Sequence, residues 1–352
     1  MPLESPSDAA LPLHAPAPAD LPAGTRLVDQ HGRVARDLRI SLTDRCNLRC
    51  DYCMPAEGLP WQPREHHLST GELIRLVRRF AALGVRSIRL TGGEPLLRRD
   101  LPEIVAALHA IPQIEDVALT TNGVLLDRHA AALAAAGGAR LNVSLDTTDR
   151  AAFQAVTRRD ELHRVLAGLV EARRYPELTP IKINAVALRG VTERALDGLL
   201  AVAASVDAEL RFIEPMPLDA GHRWTPQDGL SGADLRRLLA GRGKLRVLPA
   251  PAASTARRFA IGEGGQVVGF ISSVSEPFCS SCDRLRLTAD GQLRSCLFSH
   301  EEGDLRALLR AGASDAELAE RIAATVWRKP RGHGIDEPGF VPPQRPMSAI
   351  GG

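Results

Sequence analysis

Six cysteines carry the most specific chemistry in this chain, and they fall into two triplets. Cys46, Cys50 and Cys53 are spaced C-x3-C-x2-C, and Cys279, Cys282 and Cys296 are spaced C-x2-C-x13-C. A loop as short as the first can wrap three thiolates around one cubic iron–sulfur cluster. Such a cluster has four irons, so three cysteines leave one iron open to a small molecule. That is the logic separating catalytic from structural metal sites. Zinc is the alternative. Near the first triplet the nearest further donors are His66 and His67, well downstream of the loop. For the second triplet, a zinc ribbon lacking its fourth ligand could draw on His300. Taken by itself this second motif leaves both metals open. Beside it runs Asp283-Arg284-Leu285-Arg286-Leu287, whose two arginines share one side of a strand and suit phosphate oxygens.

Composition limits what these groups can serve. The 352 residues carry a formal charge of only +2, which gives no bulk attraction for nucleic acid. No run of about 18 apolar residues reads as a membrane span. Residues 1–24 are rich in Ala and Pro and carry Glu4, Asp8 and Asp20, so they read as a disordered extension without a derivable role. A reducing, cytoplasmic setting is expected, in which cysteines serve as ligands rather than disulfides.

The elements that must position these groups follow a repeating rhythm. Asp37 to Leu42 alternates like a strand and feeds the first cysteine loop. Ser69 with Glu72 forms a capping box, Leu73, Leu76, Val77, Phe80 and Leu83 keep helical spacing, and Gly84 supplies a stop. Strand-like runs recur at Ser87–Leu90, Asp116–Leu119, Leu141–Leu145, Ile181–Val186 and Leu210–Ile213, with helical segments near 100–110, 127–137, 161–174 and 193–204. Six strands alternating with helices imply parallel βα units, an α/β chain forming an incomplete (βα)6 TIM-like barrel. The charges of Lys182 and Arg211 interrupt apolar strands and would point into its cavity. Thr91, Thr120, Ser144 and Glu214 fall at C-terminal strand ends, where barrel chemistry sits. Beyond Pro215 the rhythm breaks. A boundary near 218–230 divides a barrel region, 25–220, from a C-terminal region, 221–352. Residues 255–298 of the latter read as β-rich and carry the second triplet.

The first loop, with Tyr52 before its last cysteine and Thr91-Gly92-Gly93-Glu94-Pro95 at a strand end, resembles the signature of the radical S-adenosylmethionine superfamily. Further motifs narrow the likeness: Thr43-Asp44-Arg45, Leu119-Thr120-Thr121-Asn122-Gly123, Asn142-Val143-Ser144-Leu145-Asp146, Arg211-Phe212-Ile213-Glu214-Pro215-Met216, Phe278-Cys279-Ser280-Ser281-Cys282 and the terminal Gly351-Gly352. In that order they resemble the GTP 3′,8-cyclase family of molybdenum cofactor biosynthesis, over roughly Val28 to Gly352.

The resemblance implies two [4Fe-4S] clusters and S-adenosylmethionine as cofactors. It implies reductive cleavage of S-adenosylmethionine to a 5′-deoxyadenosyl radical, abstraction of the GTP C3′ hydrogen, and closure to (8S)-3′,8-cyclo-7,8-dihydro-GTP. Carried over by position, Tyr52, Gly93, Ser144 and Met216 match contacts to S-adenosylmethionine; Arg39, Arg89, Thr120, Lys182, Arg284, Leu285 and Arg286 match contacts to GTP. Lys182 stands one residue later after Ser144 than the family spacing has it. The resemblance further implies an electron donor, a downstream cyclic pyranopterin monophosphate synthase, a homodimer, and a C-terminal tail reaching the active site. The basic stretch Arg328-Lys329-Pro330-Arg331 with His333 reads equally as cavity wall or solvated loop. Two other readings compete: a peptide-modifying radical enzyme, which would carry more C-terminal cysteines, and a non-enzymatic metal module, which would supply four ligands per metal.

Overall fold

The computed structural model describes residues 26–221, 223–249 and 254–351, so the expected extension lies outside the described residues. Six strands follow in order: β1 (Asp37–Ser41), β2 (Ser87–Thr91), β3 (Asp116–Thr121), β4 (Arg140–Ser144), β5 (Lys182–Val186) and β6 (Glu209–Ile213). Each pairs in parallel with the next. The helices between them are α1 (Thr70–Ala82), α2 (Leu101–His109), α3 (Leu126–Ala135), α4 (Arg150–Thr157), α5 (Leu162–Ala172) and α6 (Thr192–Ser205). The expected βα rhythm is therefore present, with an extra helix, α4, that the sequence reading did not separate. Among the described residues no helix is long and apolar enough to cross a membrane.

Alternation along the strands divides core from site. Leu38, Ile40, Ile88, Leu90, Leu141, Val143, Ile183, Leu210 and Phe212 are at most 1% exposed, in the layer beneath the helices. Each such side chain contributes about 1.5–3 kcal/mol by leaving water. The intervening positions, among them Arg39, Arg89, Asn142, Ser144, Asn184 and Arg211, line a cavity. Helix α1 starts as its sequence predicts: Ser69 accepts from the Glu72 amide, and Glu72 accepts from the Ser69 amide. It ends at Leu83, and Gly84 follows at φ +100°, the left-handed geometry glycine tolerates.

After β6 the chain forms α7 (Gly232–Ala240), β7 (Leu245–Leu248), β8 (Arg257–Ile261), β9 (Gln266–Ile271), β10 (Arg284–Leu287), β11 (Gln292–Arg294), β12 (Gly303–Asp304), α8 (Leu305–Arg310), α9 (Asp315–Trp327) and α10 (Met347–Ile350). These strands join the same sheet at both of its ends. β9 pairs in parallel with β6, and β10 in parallel with β1, giving the order β12-β11-β10-β1-β2-β3-β4-β5-β6-β9-β8-β7. The strand carrying Arg284 and Arg286 thus lies beside the first strand of the chain, a pairing that strand patterns do not reveal.

Candidate active site

The first cysteine loop is clamped from two sides. At the end of β2 the Gly93 amide donates to the Thr43 carbonyl at 2.7 Å, and the Glu94 amide to the Arg45 carbonyl at 2.7 Å. The loop lies so close that a β-carbon on Gly93 would stand 2.3 Å from the Arg45 carbonyl oxygen, and one on Gly92 would stand 2.7 Å from that of Thr43. The two glycines are thus required by the loop itself, a constraint the sequence motif did not disclose. On the other side, the Arg49 and Asp51 amides donate to the carbonyls of Thr157 and Val156 at the end of α4. Arg158, at φ 56°, donates to the carbonyls of Arg49 and Met54.

Buried polar groups complete the clamp. Glu94 is fully buried and accepts from the Leu96 and Asn122 amides and the Thr121 hydroxyl. Asn122 Nδ2 donates to Asn47 at 2.7 Å and lies 3.8 Å from Cys46 Sγ. The Tyr52 hydroxyl donates to Asp146 at 2.7 Å, and Asp146 also accepts from the Val186 amide at 2.8 Å. Burial raises Asp146 to about 6. Burial also raises the Cys46 thiol to about 11 and the Cys53 thiol to about 12, with Glu94 adding to Cys46 and Cys46 adding to Cys53. Cys50 rises well above its ordinary value for the same first reason.

Cys282 of the second triplet lies two residues before β10, level with the start of β1, whereas the first triplet follows the end of β1. Cys279 and Cys282 bracket a single turn, and Arg284 Nη2 reaches Cys282 Sγ at 3.3 Å while its guanidinium lies over the Phe278 ring at 4.6 Å. Burial pushes the Cys282 thiol up, but Arg284 and then Lys329 outweigh it and bring it to about 7. His300, the possible zinc donor, is engaged with the Val341 carbonyl at 3.1 Å, and His67 with Asp44 at 3.3 Å. Among the described residues no three His, Cys, Asp or Glu converge as a single metal ion would need. A cubic cluster spreads its thiolates wider than one ion does.

All six cysteines line one cavity of about 990 Å³. Register sets a row of cations across its wall: Arg39 on β1 stands opposite Arg286 on β10 and opposite Arg89 on β2. Burial, then Arg286 and Arg89, hold the Arg39 guanidinium well below its usual value. Burial and Arg284 bring Arg286 to about 10. Six atoms of the cavity-lining side chains are buried without a hydrogen-bond partner: Nε of Arg39, of Arg89 and of Arg284, Oδ1 of Asn142 and of Asn184, and Oγ of Ser348. A crowd of like charges with idle donors suits an anion with many oxygens. The donor set therefore fits a phosphorylated ligand held between two three-thiolate sites.

Of the expected contacts, Tyr52, Gly93, Ser144 and Met216 line this cavity, as do Arg39, Arg89, Thr120, Arg284 and Arg286. Two are placed differently. Leu285 is 1% exposed and packs in the core, outside the cavity lining. Lys182, at the start of β5, is outside the lining, and burial followed by Arg211 lowers it to about 8. Glu214, read from its strand-end position, is tied up by the amides of Gly232, Val274 and Ser275. Arg211, Asn142, Asn184, Asp146 and Ser348 join the lining without having been singled out as contacts. Arg211 had a signal, a charge interrupting an apolar strand, whereas Ser348 had none. The tail does enter: Arg286 donates to the Gly351 carbonyl, and Gly351 packs against Ser41 and Thr91. Gly352 lies outside the described residues.

Comparison with known proteins bears on this arrangement. Residues 40–203 match the model of the Radical SAM superfamily, and residues 208–335 match that of Molybdenum Cofactor Synthesis C. The GTP 3′,8-cyclase of Mycobacterium marinum is 52% identical over 340 residues, covering 95% of this chain and 94% of the relative. GTP 3′,8-cyclase 2 of Mycobacterium tuberculosis is 51% identical over 341 residues, with the same coverage of both chains. Among solved structures, Streptococcus suis SuiB superposes with a TM-score of 0.58 at 15% identity, over 87% of this chain and 68% of that one. At that identity the likeness concerns the fold alone.

Proposed function

The chain belongs to the GTP 3′,8-cyclase family and is a radical S-adenosylmethionine enzyme of molybdenum cofactor synthesis, and from that premise we propose how its residues divide the work. Cys46, Cys50 and Cys53 hold the [4Fe-4S] cluster that the superfamily implies, leaving one iron for S-adenosylmethionine. When bound, these two cofactors supply the radical chemistry that opens the cyclisation. Tyr52, Gly93, Ser144 and Met216 seat S-adenosylmethionine. Cys279, Cys282 and Cys296 would hold a second [4Fe-4S] cluster, three ligands again leaving one iron that could take a substrate atom.

The observation that carries this reading is the row Arg286–Arg39–Arg89 set between two cysteine triplets in one cavity. Arg39, Arg89 and Arg286, with Arg284, offer forked donors to the triphosphate of GTP. Thr120 adds a neutral contact. Lys182 acts from beneath as a charge, and Leu285 through its backbone. Fixing both ends of GTP leaves its ribose one position between them, which is the orientation an unselective hydrogen abstraction requires. The buried walls and the tail keep water away from that step.

An electron donor, a cyclic pyranopterin monophosphate synthase acting on the product, a homodimer and a cytoplasmic setting complete the proposal. So does the division into a radical region, 25–220, and a substrate region, 221–352. The test is an anaerobic assay of reconstituted chain with dithionite, S-adenosylmethionine and GTP, read by mass spectrometry. The expected result is GTP-dependent 5′-deoxyadenosine and a GTP isomer of unchanged mass, with about eight irons bound. Cys279→Ala should keep the first cluster and lose the isomer. Full turnover by that variant would remove the role given to the second triplet.

A further inference from the structure

Lys329 follows α9 and is 2% exposed. Its ammonium donates to the carbonyls of Cys282 at 2.9 Å and Arg284 at 2.7 Å. Among the described residues no carboxylate pairs with it. Besides Arg284 at the Cys282 sulfur, a further cation holds this corner through carbonyls: Arg33 donates to those of Cys279 at 2.7 Å, Arg331 at 3.0 Å and Pro330 at 2.6 Å, but is paired with Asp29 at 2.6 Å. A buried ammonium satisfied only by neutral carbonyls is expensive unless negative charge lies near. Two sources of such charge act on Lys329: Asp283, which lies between the two carbonyls but whose carboxyl burial and Asp37 push up, and Cys282 with its partner cysteines once deprotonated around a cluster.

We propose that Lys329 is a positioning residue for the second cluster: it fixes the backbone from Cys282 to Arg284 and supplies a buried positive charge, outside any ion pair, that retains the thiolate-bound cluster and raises its reduction potential. The inference rests on the reading that the second triplet holds a cluster. Its physical basis is that cluster potentials respond to net charge and to hydrogen bonding around the ligands. Arg33, neutralised by Asp29, holds the same turn without adding net charge. The basic stretch left open by the sequence is thus divided, with Lys329 turned inward beneath the metal ligands.

The test uses the full-length chain reconstituted without oxygen, with iron analysis and a redox titration followed by electron paramagnetic resonance. The signal that Cys279→Ala removes identifies the second cluster. Lys329→Gln keeps an amide donor and removes the charge; Lys329→Arg keeps the charge. The expected result is a lower midpoint potential for the second cluster in Lys329→Gln and a value near the parent's in Lys329→Arg. Loss of second-site iron in Lys329→Gln but not in Lys329→Arg also supports the proposal. An unchanged potential at full iron in Lys329→Gln overturns it. So does equal iron loss in both variants, which assigns Lys329 to backbone geometry alone. If the parent shows one cluster signal only, the reading of the second triplet fails first, and the inference with it.

Discussion

Glu94 shows how a single residue beside the cysteine loop couples chemistry to stability. Burial raises its carboxyl from the ordinary 4.5 to about 7, outweighing the donors on Asn122, Thr121 and Leu96. A carboxyl raised in the folded state binds more protons there than when unfolded. Its contribution is therefore complete below the unfolded value and is lost as pH climbs through the folded one. The cluster-free chain should lose stability between about 4.5 and about 7 from this group, on the order of 3 kcal/mol. Urea midpoints measured across that range should fall with rising pH in the parent and fall less in Glu94→Gln. An identical slope in the two would show that Glu94 does not titrate there.

Between elements, the contact that matters most is the end of β2 against the loop holding Cys46. The Gly93 amide and the missing β-carbon act together, because the same few ångströms contain a hydrogen bond and no room for a methyl group. Gly93→Ala would press on backbone atoms of Arg45 and Asp44 rather than on a flexible side-chain tip. Overpacking of that kind costs about 1–3 kcal/mol. The loop is the part free to move, so the expected outcome is loss of iron at the first site with the second cluster retained. Iron counts and the first-cluster spectrum check this; full occupancy of both sites in Gly93→Ala would contradict it. The motif was legible as a glycine pair at a strand end. What the glycines accommodate was not, because the loop that crowds them lies some fifty positions upstream, a distance of the order expected between successive strands of a βα unit.

At the scale of the whole molecule, the sheet is one structure from β12 to β7, and both of its flanks come from the C-terminal region. The first strand receives its cavity-lining neighbour, Arg286, from β10, and Gly351 returns to meet it. Gly351 stands at φ +92°, and a β-carbon there would lie 3.0 Å from Ser41 Cβ and 3.2 Å from Thr91 Oγ1. Gly351→Ala should displace the carbonyl that Arg286 holds while leaving both cysteine triplets untouched. A loss of even about 1.4 kcal/mol in substrate orientation is a tenfold loss in rate. Turnover of GTP should therefore fall at least tenfold with iron content unchanged. Parent-like turnover would show that the tail packs in the cavity without a part in orientation.

What the sequence by itself determined is everything that depends on local order. Cysteine spacing within each triplet, the capping box of α1, the alternation that turns Arg39, Arg89 and Ser144 away from the core, and the βα rhythm can all be read from residues close together in the chain. The tertiary structure alone decided which of these meet. No pattern in residues 284–287 says that β10 pairs with β1, yet that pairing puts Arg286 beside Arg39 and both triplets on one cavity. Nor does Lys329 differ in the sequence from the arginines around it; only its burial against Cys282 and Arg284 separates it from a solvated charge. The physical reason is the same in each case. Local preferences act over a few residues, whereas strand pairing and the burial of a charge depend on elements that only the folded chain brings into contact.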